Sequence, residues 1–442
     1  MRNDWRGRPW HETVIYELHA GVCGGFRGVI EKLPYLKSLG VTAVELMPIA
    51  DLPGTRNWGY DGVQPYTPAS SYGRPEDLRT LIDAAHGEEL SIFLDVVYNH
   101  FGPEGNTLHR DAPHFFRDDV QTPWGAAIDF RHHEVREYFI RNAIMWLTDY
   151  CFDGLRFDAV HAIHSDDFLP ELAQRVRDAT RGRHVHLMVE NEHDDRSLLG
   201  EGRFDAQWNE HFHNALHVML TGEREGYYAH YADAPGQRLA DCLTRSHYIA
   251  FLQNHDQIGN RAFGERLITL ADPRALRAAT VLLLLSPQIP LLFMGEEWGC
   301  RSPFLFFTDF HDELADAVRE GRRKEFAKFA AFADPEQRAK IPDPNDPQTF
   351  ARSIPNFDER ETGEHAQWLA LYRELLAIRH REIVPRLPGT HSEGADVIGS
   401  HAIQARWRLG DGSRLHIAIN VGAASAGVLP GYSSSVLLEP PS

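Results

Sequence analysis

Cysteine is scarce in this chain. Four occur in 442 residues, Cys23, Cys151, Cys242 and Cys300, widely spaced and without a CxxC pair. That excludes a disulfide framework or a cysteine-built zinc site and reads as free thiols in a reducing compartment. Positive charge is also in deficit: 45 Lys and Arg stand against 63 Asp and Glu, a net charge of −18, with no Lys/Arg-rich run. Neither nucleic acid nor an anionic membrane suits such a surface as a partner, whereas a neutral substrate does. Long apolar runs are missing too. The longest, "AATVLLLLSPQIPLLFMG", is broken by Ser286, Pro287 and Gln288, and "MRNDWRGRPWHE" has no apolar signal core. The expectation is a soluble, cytoplasmic protein. A phosphate-cradling turn is absent as well, because "GVCGGFRG" (21–28) has neither GxGxxG spacing nor a following Lys-Ser/Thr.

What is present is alternation. Strand-like runs begin "VIYELHAG" (14–21), "TAVELMPI" (42–49), "SIFLDVV" (91–97), "GLRFDAV" (154–160), "VHLMVEN" (185–191), "DAQWNEHF" (205–212), "YIAFLQNH" (248–255) and "IPLLFMGE" (289–296). Most are separated by a helical pattern, as in "GVIEKLPYLKSLG" (28–40), where Ile30, Leu33, Leu36 and Leu39 recur at helical spacing. Eight such units predict an α/β fold, a (β/α)8 TIM barrel. A doubly wound sheet is the rival, and the missing nucleotide turn argues against it. Residues 99–133 form an insertion after the third strand, and 297–364 an excursion after the eighth. The predicted division is a catalytic barrel over 1–384 and a small C-terminal antiparallel β domain over 385–442, where "AIQARWRL" and "LHIAIN" alternate between Gly/Ser turns.

Polar residues interrupt these apolar strands at their C-terminal ends, where a barrel of this type places its reacting groups. Asp95, Asn99 and His100 close "DVVYNH"; Arg156, Asp158 and His161 close the fourth strand; Glu190 ends "VHLMVE"; His255 and Asp256 end "FLQNHD". In "GLRFDAV" alternation turns Leu155 and Phe157 one way and Arg156 and Asp158 the other. A cation and a carboxylate on the inner face of a buried strand must pair or do chemistry. Any one such residue is ordinary as a cap or a surface charge. Four strands together converge these groups on one mouth. The loop "RNWGYDGVQPYTP" (56–68) adds Trp58, Tyr60 and Tyr66 as flat surfaces for a ligand, with packing under the loop as the alternative for Trp58 and Tyr66. "HAIH" (161–164) and "HFH" (211–213) lack an HExxH or cysteine context, so no metal is expected there.

These segments, in order and context, resemble the four signature segments of the α-amylase superfamily of retaining glycoside hydrolases. The resemblance runs from "VIYELHAG" to the β tail. It implies that Asp158 is the nucleophile, Glu190 the general acid/base and Asp256 the transition-state stabiliser. Arg156 would orient Asp158, His100 and His255 would bind hydroxyls of the −1 sugar, Tyr60 would stack on that ring, and Trp58, Asp95 and His161 join them as substrate-binding residues. Retention needs the two reacting carboxyl groups about 5–5.5 Å apart. In sequence Glu190 has no adjacent cation. No cofactor is implied, apart from a structural calcium that many amylases hold at the residue matching Asn99.

"ELMPIADLPGTRNWGYDGV", "TPWGAAIDF", "LLFMGEEWG" and "IPDPNDPQTF" resemble, more narrowly, the branch of that superfamily that releases trehalose from maltooligosyltrehalose. The substrate expected is therefore maltooligosyltrehalose or another α-glucan. Against that branch, the expectation is a barrel without the β-sandwich that the branch carries ahead of it, and with "GVCGGFRG" and 232–246 as shortened loops. A general α-1,4-glucan hydrolase or 4-α-glucanotransferase stays open as a second reading, and a non-catalytic glycan-binding barrel as a third.

Overall fold

All eight anticipated strands form, and they close on themselves. The computed structural model describes residues 4–193 and 196–441. Its barrel strands are β1 (Ile15–Leu18), β2 (Ala43–Leu46), β3 (Ser91–Val96), β4 (Gly154–Phe157), β5 (His186–Val189), β6 (Ala206–Trp208), β7 (Tyr248–Phe251) and β8 (Ile289–Phe293). Each pairs in parallel with its chain neighbours, and β1 pairs with β8. Helices α1 (Gly25–Leu39), α2 (Pro75–Gly87), α3 (His133–Thr148), α4 (Phe168–Ala179), α5 (Glu210–Thr221), α6 (Pro273–Leu285) and α7 (Gly363–Ile378) cover the barrel. Between β5 and β6 the described residues hold only a one-turn helix, Arg196–Leu198.

Alternation along the strands builds two apolar layers. Leu155, Phe157, Leu187 and Val189 pack outward under the helices. Ile15, Phe93, Met188, Ala206, Trp208, Ile249 and Leu291 fill the barrel itself. The helices match this demand: α1 buries Phe26, Val29, Leu33, Leu36 and Leu39 on one stripe and stops at Gly40, whose φ of 106° suits glycine alone.

The insertion after β3 carries a two-stranded hairpin, Phe116–Thr122 with Gly125–Ile128. Four antiparallel strands, β9 (His391–Gly399), β10 (Ala402–Arg408), β11 (Arg414–Asn420) and β12 (Ser433–Glu439), end the chain as a meander. Their inner face, with Ile403, Ala405, Trp407, Leu415 and Ile417 buried, lies against α6 and the helix Pro235–Leu243. No helix among the described residues is long and apolar enough to cross a membrane.

Candidate active site

Arg156 organises the mouth of the barrel. Pairing of β3 with β4 sets it opposite Asp95, and pairing of β4 with β5 sets it opposite Met188, two residues before Glu190. Its Nη1 donates to Asp95 Oδ2 at 2.7 Å and to Asp158 Oδ1 at 2.9 Å, while Nη2 donates to Glu190 Oε2 at 2.7 Å. One fully buried guanidinium thus holds three carboxylates from three consecutive strands. The planar fork of arginine suits this, because its donors are fixed relative to one another. Beneath it the ring of Trp208 lies 4.1 Å away.

The turn after β4 is strained to the same end. Ala159 adopts φ 40°, ψ 52°, a left-handed conformation that costs a residue with a Cβ about 1 kcal/mol or more. Its N–H donates to Glu190 Oε2 at 2.9 Å. Asn99 Nδ2 donates to Asp158 Oδ2 at 2.8 Å, so that both oxygens of Asp158 are held.

Opposite stand His255 and Asp256, where a short helix begins directly after β7 under an Asn254 cap. His255 Nδ1 meets Glu17 Oε1, and Nε2 lies 2.8 Å from the Tyr60 hydroxyl and 3.5 Å from Asp256 Oδ2. The Tyr60 hydroxyl in turn donates to Asp95 Oδ2 at 2.6 Å, and its ring stacks on His255 at 5.3 Å. Burial pulls the His255 imidazole down, but the charges of Asp256 and Glu17 outweigh it and lift it to about 10. Asp95 is pushed up to about 7 by burial, which Arg156 opposes and Asp158 reinforces. Burial, together with the charge of Glu190, raises Asp256 as well, against the pull of His255.

Several sequence expectations need correction. Trp58 is 4% exposed and is not a platform for sugar. It stacks on Phe304, presents its edge to His255, and donates Nε1–H to Leu305 O at 3.0 Å. The excursion after β8 covers it, a contact that local pattern does not reveal. Trp58→Ala is therefore expected to act through stability, costing about 3–5 kcal/mol by leaving a void; urea unfolding measures this, and a weakened KM at unchanged stability would contradict it. Tyr66 is also spent, donating to Tyr138 O at 2.5 Å. His100 has both ring nitrogens facing protein acceptors, Tyr60 O and Asn99 Oδ1, so neither is open to a sugar hydroxyl here. His161 stands apart, accepting from Glu192 N at 3.3 Å. Asp95 is buried below the reacting surface and meets only Arg156 and Tyr60 among the described partners. Asn99 does not fit a cation: its amide nitrogen serves Asp158 and its oxygen faces His100.

Other groups escaped the sequence reading. Glu17 and Glu45 sit at inward positions of β1 and β2, buried like their apolar neighbours. Their signal was the one that exposed Arg156, a charge inside an apolar strand. Trp124, in the turn of the insertion hairpin and 45% exposed, stacks on His100 at 5.0 Å. No periodicity marks it.

Glu210, first in α5, accepts from Gln257 Nε2 at 2.7 Å. Burial, then the charges of Glu190 and Asp256, push it up to about 8. It is neutral at pH 7 and becomes a further anion beside two acids as pH rises through 8. Activity is expected to fall along that limb, and Glu210→Gln, which stays neutral, is expected to carry activity to higher pH. Superimposable alkaline limbs in the two pH–rate profiles would remove Glu210 as their source.

A family model described as the catalytic domain of alpha amylase matches residues 7–123, and one described as a domain of unknown function (DUF3459) matches 390–442. A malto-oligosyltrehalose trehalohydrolase of Deinococcus radiodurans is 44% identical over 423 residues, taking in 86% of this chain and 69% of that protein. One from Mycobacterium tuberculosis is 38% identical over 467 residues, 95% of this chain and 78% of its own. A candidate α-amylase from Salmonella typhimurium, solved at 1.4 Å, superposes with a TM-score of 0.93 at 42% identity, covering 99% of this chain and 84% of its own.

Proposed function

This chain belongs to the malto-oligosyltrehalose trehalohydrolases of the α-amylase family, and from that membership we infer that it hydrolyses the α-1,4 bond beside a terminal trehalose, freeing the disaccharide from maltooligosyltrehalose. In this reading Asp158 attacks the anomeric carbon and forms a glycosyl ester as the bond to the leaving oxygen breaks. Glu190 gives that oxygen its proton, then takes one from the water that cleaves the ester. Asp256 faces the positive charge that develops at the anomeric centre. All three tasks fall to side chains, so the chemistry calls for no cofactor.

The observation that carries the assignment is the fork of Arg156 between Asp158 and Glu190. Two oxygens bound to adjacent nitrogens of one guanidinium face one small volume, as attack and protonation at a single glycosidic bond require. Arg156 also keeps Asp158 aimed, and Asn99 fixes its second oxygen.

The alignment with the M. tuberculosis enzyme is longer than this 442-residue chain, so that relative carries residues without a counterpart here. If those residues belong to loops at the cleft, plain maltooligosaccharides are the second substrate class to test. Maltotetraosyltrehalose and maltopentaose, incubated side by side and resolved by chromatography, separate the two readings. Trehalose as the faster product supports the assignment. Faster cleavage of maltopentaose without trehalose release replaces it with a general α-1,4-glucan hydrolase, and longer glucans appearing in the mixture indicate transfer.

A further inference from the structure

The hydrogen bonds inside the barrel leave His255 little freedom. The Tyr60 hydroxyl has one proton, and above pH 7, where Asp95 is ionised, its 2.6 Å contact with that carboxylate takes it. The Tyr60 oxygen therefore accepts from His255 Nε2, 2.8 Å away. On the other side of the ring Nδ1 faces Glu17 Oε1, while Glu17 Oε2 accepts from the His255 backbone N–H at 3.1 Å. Both residues are about 1% exposed. Both ring nitrogens then act as donors, which only the doubly protonated imidazole can do.

We infer that Glu17 is a positioning residue that holds His255 as an imidazolium with its Nε2–H fixed between Tyr60 and Asp256. A charge-assisted bond to a buried carboxylate does this, and truncating the carboxylate charge removes it. The charged groups around the ring are Glu17 from β1, Glu45 from β2, Asp95 from β3, Arg156 from β4 and Asp256 beside it. His19 and the rings of Tyr60, Trp58 and Trp208 complete the surroundings. Glu45 has both carboxyl oxygens without a hydrogen-bond partner at full burial, and desolvation, with the charges of Glu17 and Asp95, raises it well above the usual range. Of the two carboxyl groups, Glu17 is the one hydrogen-bonded to His255, through both of its oxygens. The fixed positive charge braces Asp256 and Tyr60 against movement when substrate charge develops between them. The alternative placement puts the proton on Glu17 and leaves His255 neutral.

The test uses the full chain labelled with 15N-histidine, the His255 signals being assigned by their loss in His255→Asn. Imidazolium shifts at both nitrogens up to about pH 9, collapsing to a titration in the ordinary histidine range in Glu17→Gln, are the expected result. Neutral-imidazole shifts at pH 8 in the unsubstituted protein overturn the inference, with no variant needed. Glu45→Gln, which removes no hydrogen bond to the ring, is expected to leave the titration high; a downward shift there would transfer the role to Glu45. The second readout rests on the trehalohydrolase reading: relative to the unsubstituted enzyme, Glu17→Gln should keep activity within about threefold near pH 6 and lose about tenfold near pH 9. Parallel profiles overturn the inference. If neither protein cleaves maltooligosyltrehalose, the reading of function fails while the spectra still decide the proton.

Discussion

Asp158→Asn is expected to lower turnover of maltooligosyltrehalose by about three to five orders of magnitude, with melting temperature near that of the parent. An amide keeps the shape of the carboxylate and one of its two accepted bonds, from Asn99 or from Arg156, but it cannot form the glycosyl ester, and losses of that size follow when a nucleophile is removed. Glu190→Gln should lose about as much on the natural substrate. The two variants differ on a substrate whose leaving group needs no proton, such as a glycosyl fluoride. There Glu190→Gln should recover much of its first step, because only the proton donor is missing, whereas Asp158→Asn stays inactive. Recovery by Asp158→Asn instead would reverse the two roles. Parent-like turnover in either purified variant would end the assignment.

The second large effect is expected at Arg156. Arg156→Met leaves Asp95, Asp158 and Glu190 around an apolar side chain, and stripping a buried charge of its partner costs about 3–5 kcal/mol. The sign of its pH dependence follows from proton uptake. Without the cation Asp95, already raised by burial, holds its proton to still higher pH in the folded chain, while the unfolded chain releases it in the ordinary carboxylate range. Across that interval the folded state binds more protons, so stability falls as pH rises. The deficit of Arg156→Met should accordingly be larger near pH 8 than near pH 5 in denaturant unfolding. An equal deficit at both would mean that Arg156 acts mainly by packing over Trp208. Activity should be lost at either pH, since Asp158 and Glu190 lose their common anchor.

How much of this was legible beforehand can be judged residue by residue. Leu155 and Phe157 do turn outward, and Arg156 inward, as alternation requires, because a two-residue period is a property of the extended backbone itself. The same period, applied to "IYEL" and "AVEL", would have exposed Glu17 and Glu45. Neither carries the motif that drew attention to Asp158, and they were passed over. Trp58 failed for a different reason: an aromatic in a loop looks exposed until something lands on it, and what lands on it is Phe304, about 250 positions later.

The order of elements, the barrel and the positions of the acids at strand ends were determined by the sequence alone, through periodicities and turn residues that act over a few neighbours. Which charges meet was not. That Arg156 reaches Glu190, that Glu17 of the first strand answers His255 after the seventh, and that His100 is already engaged were decided only when the sheet closed. Closure fixes strand register across the barrel, and register, together with burial, sets which carboxylate a buried cation must satisfy.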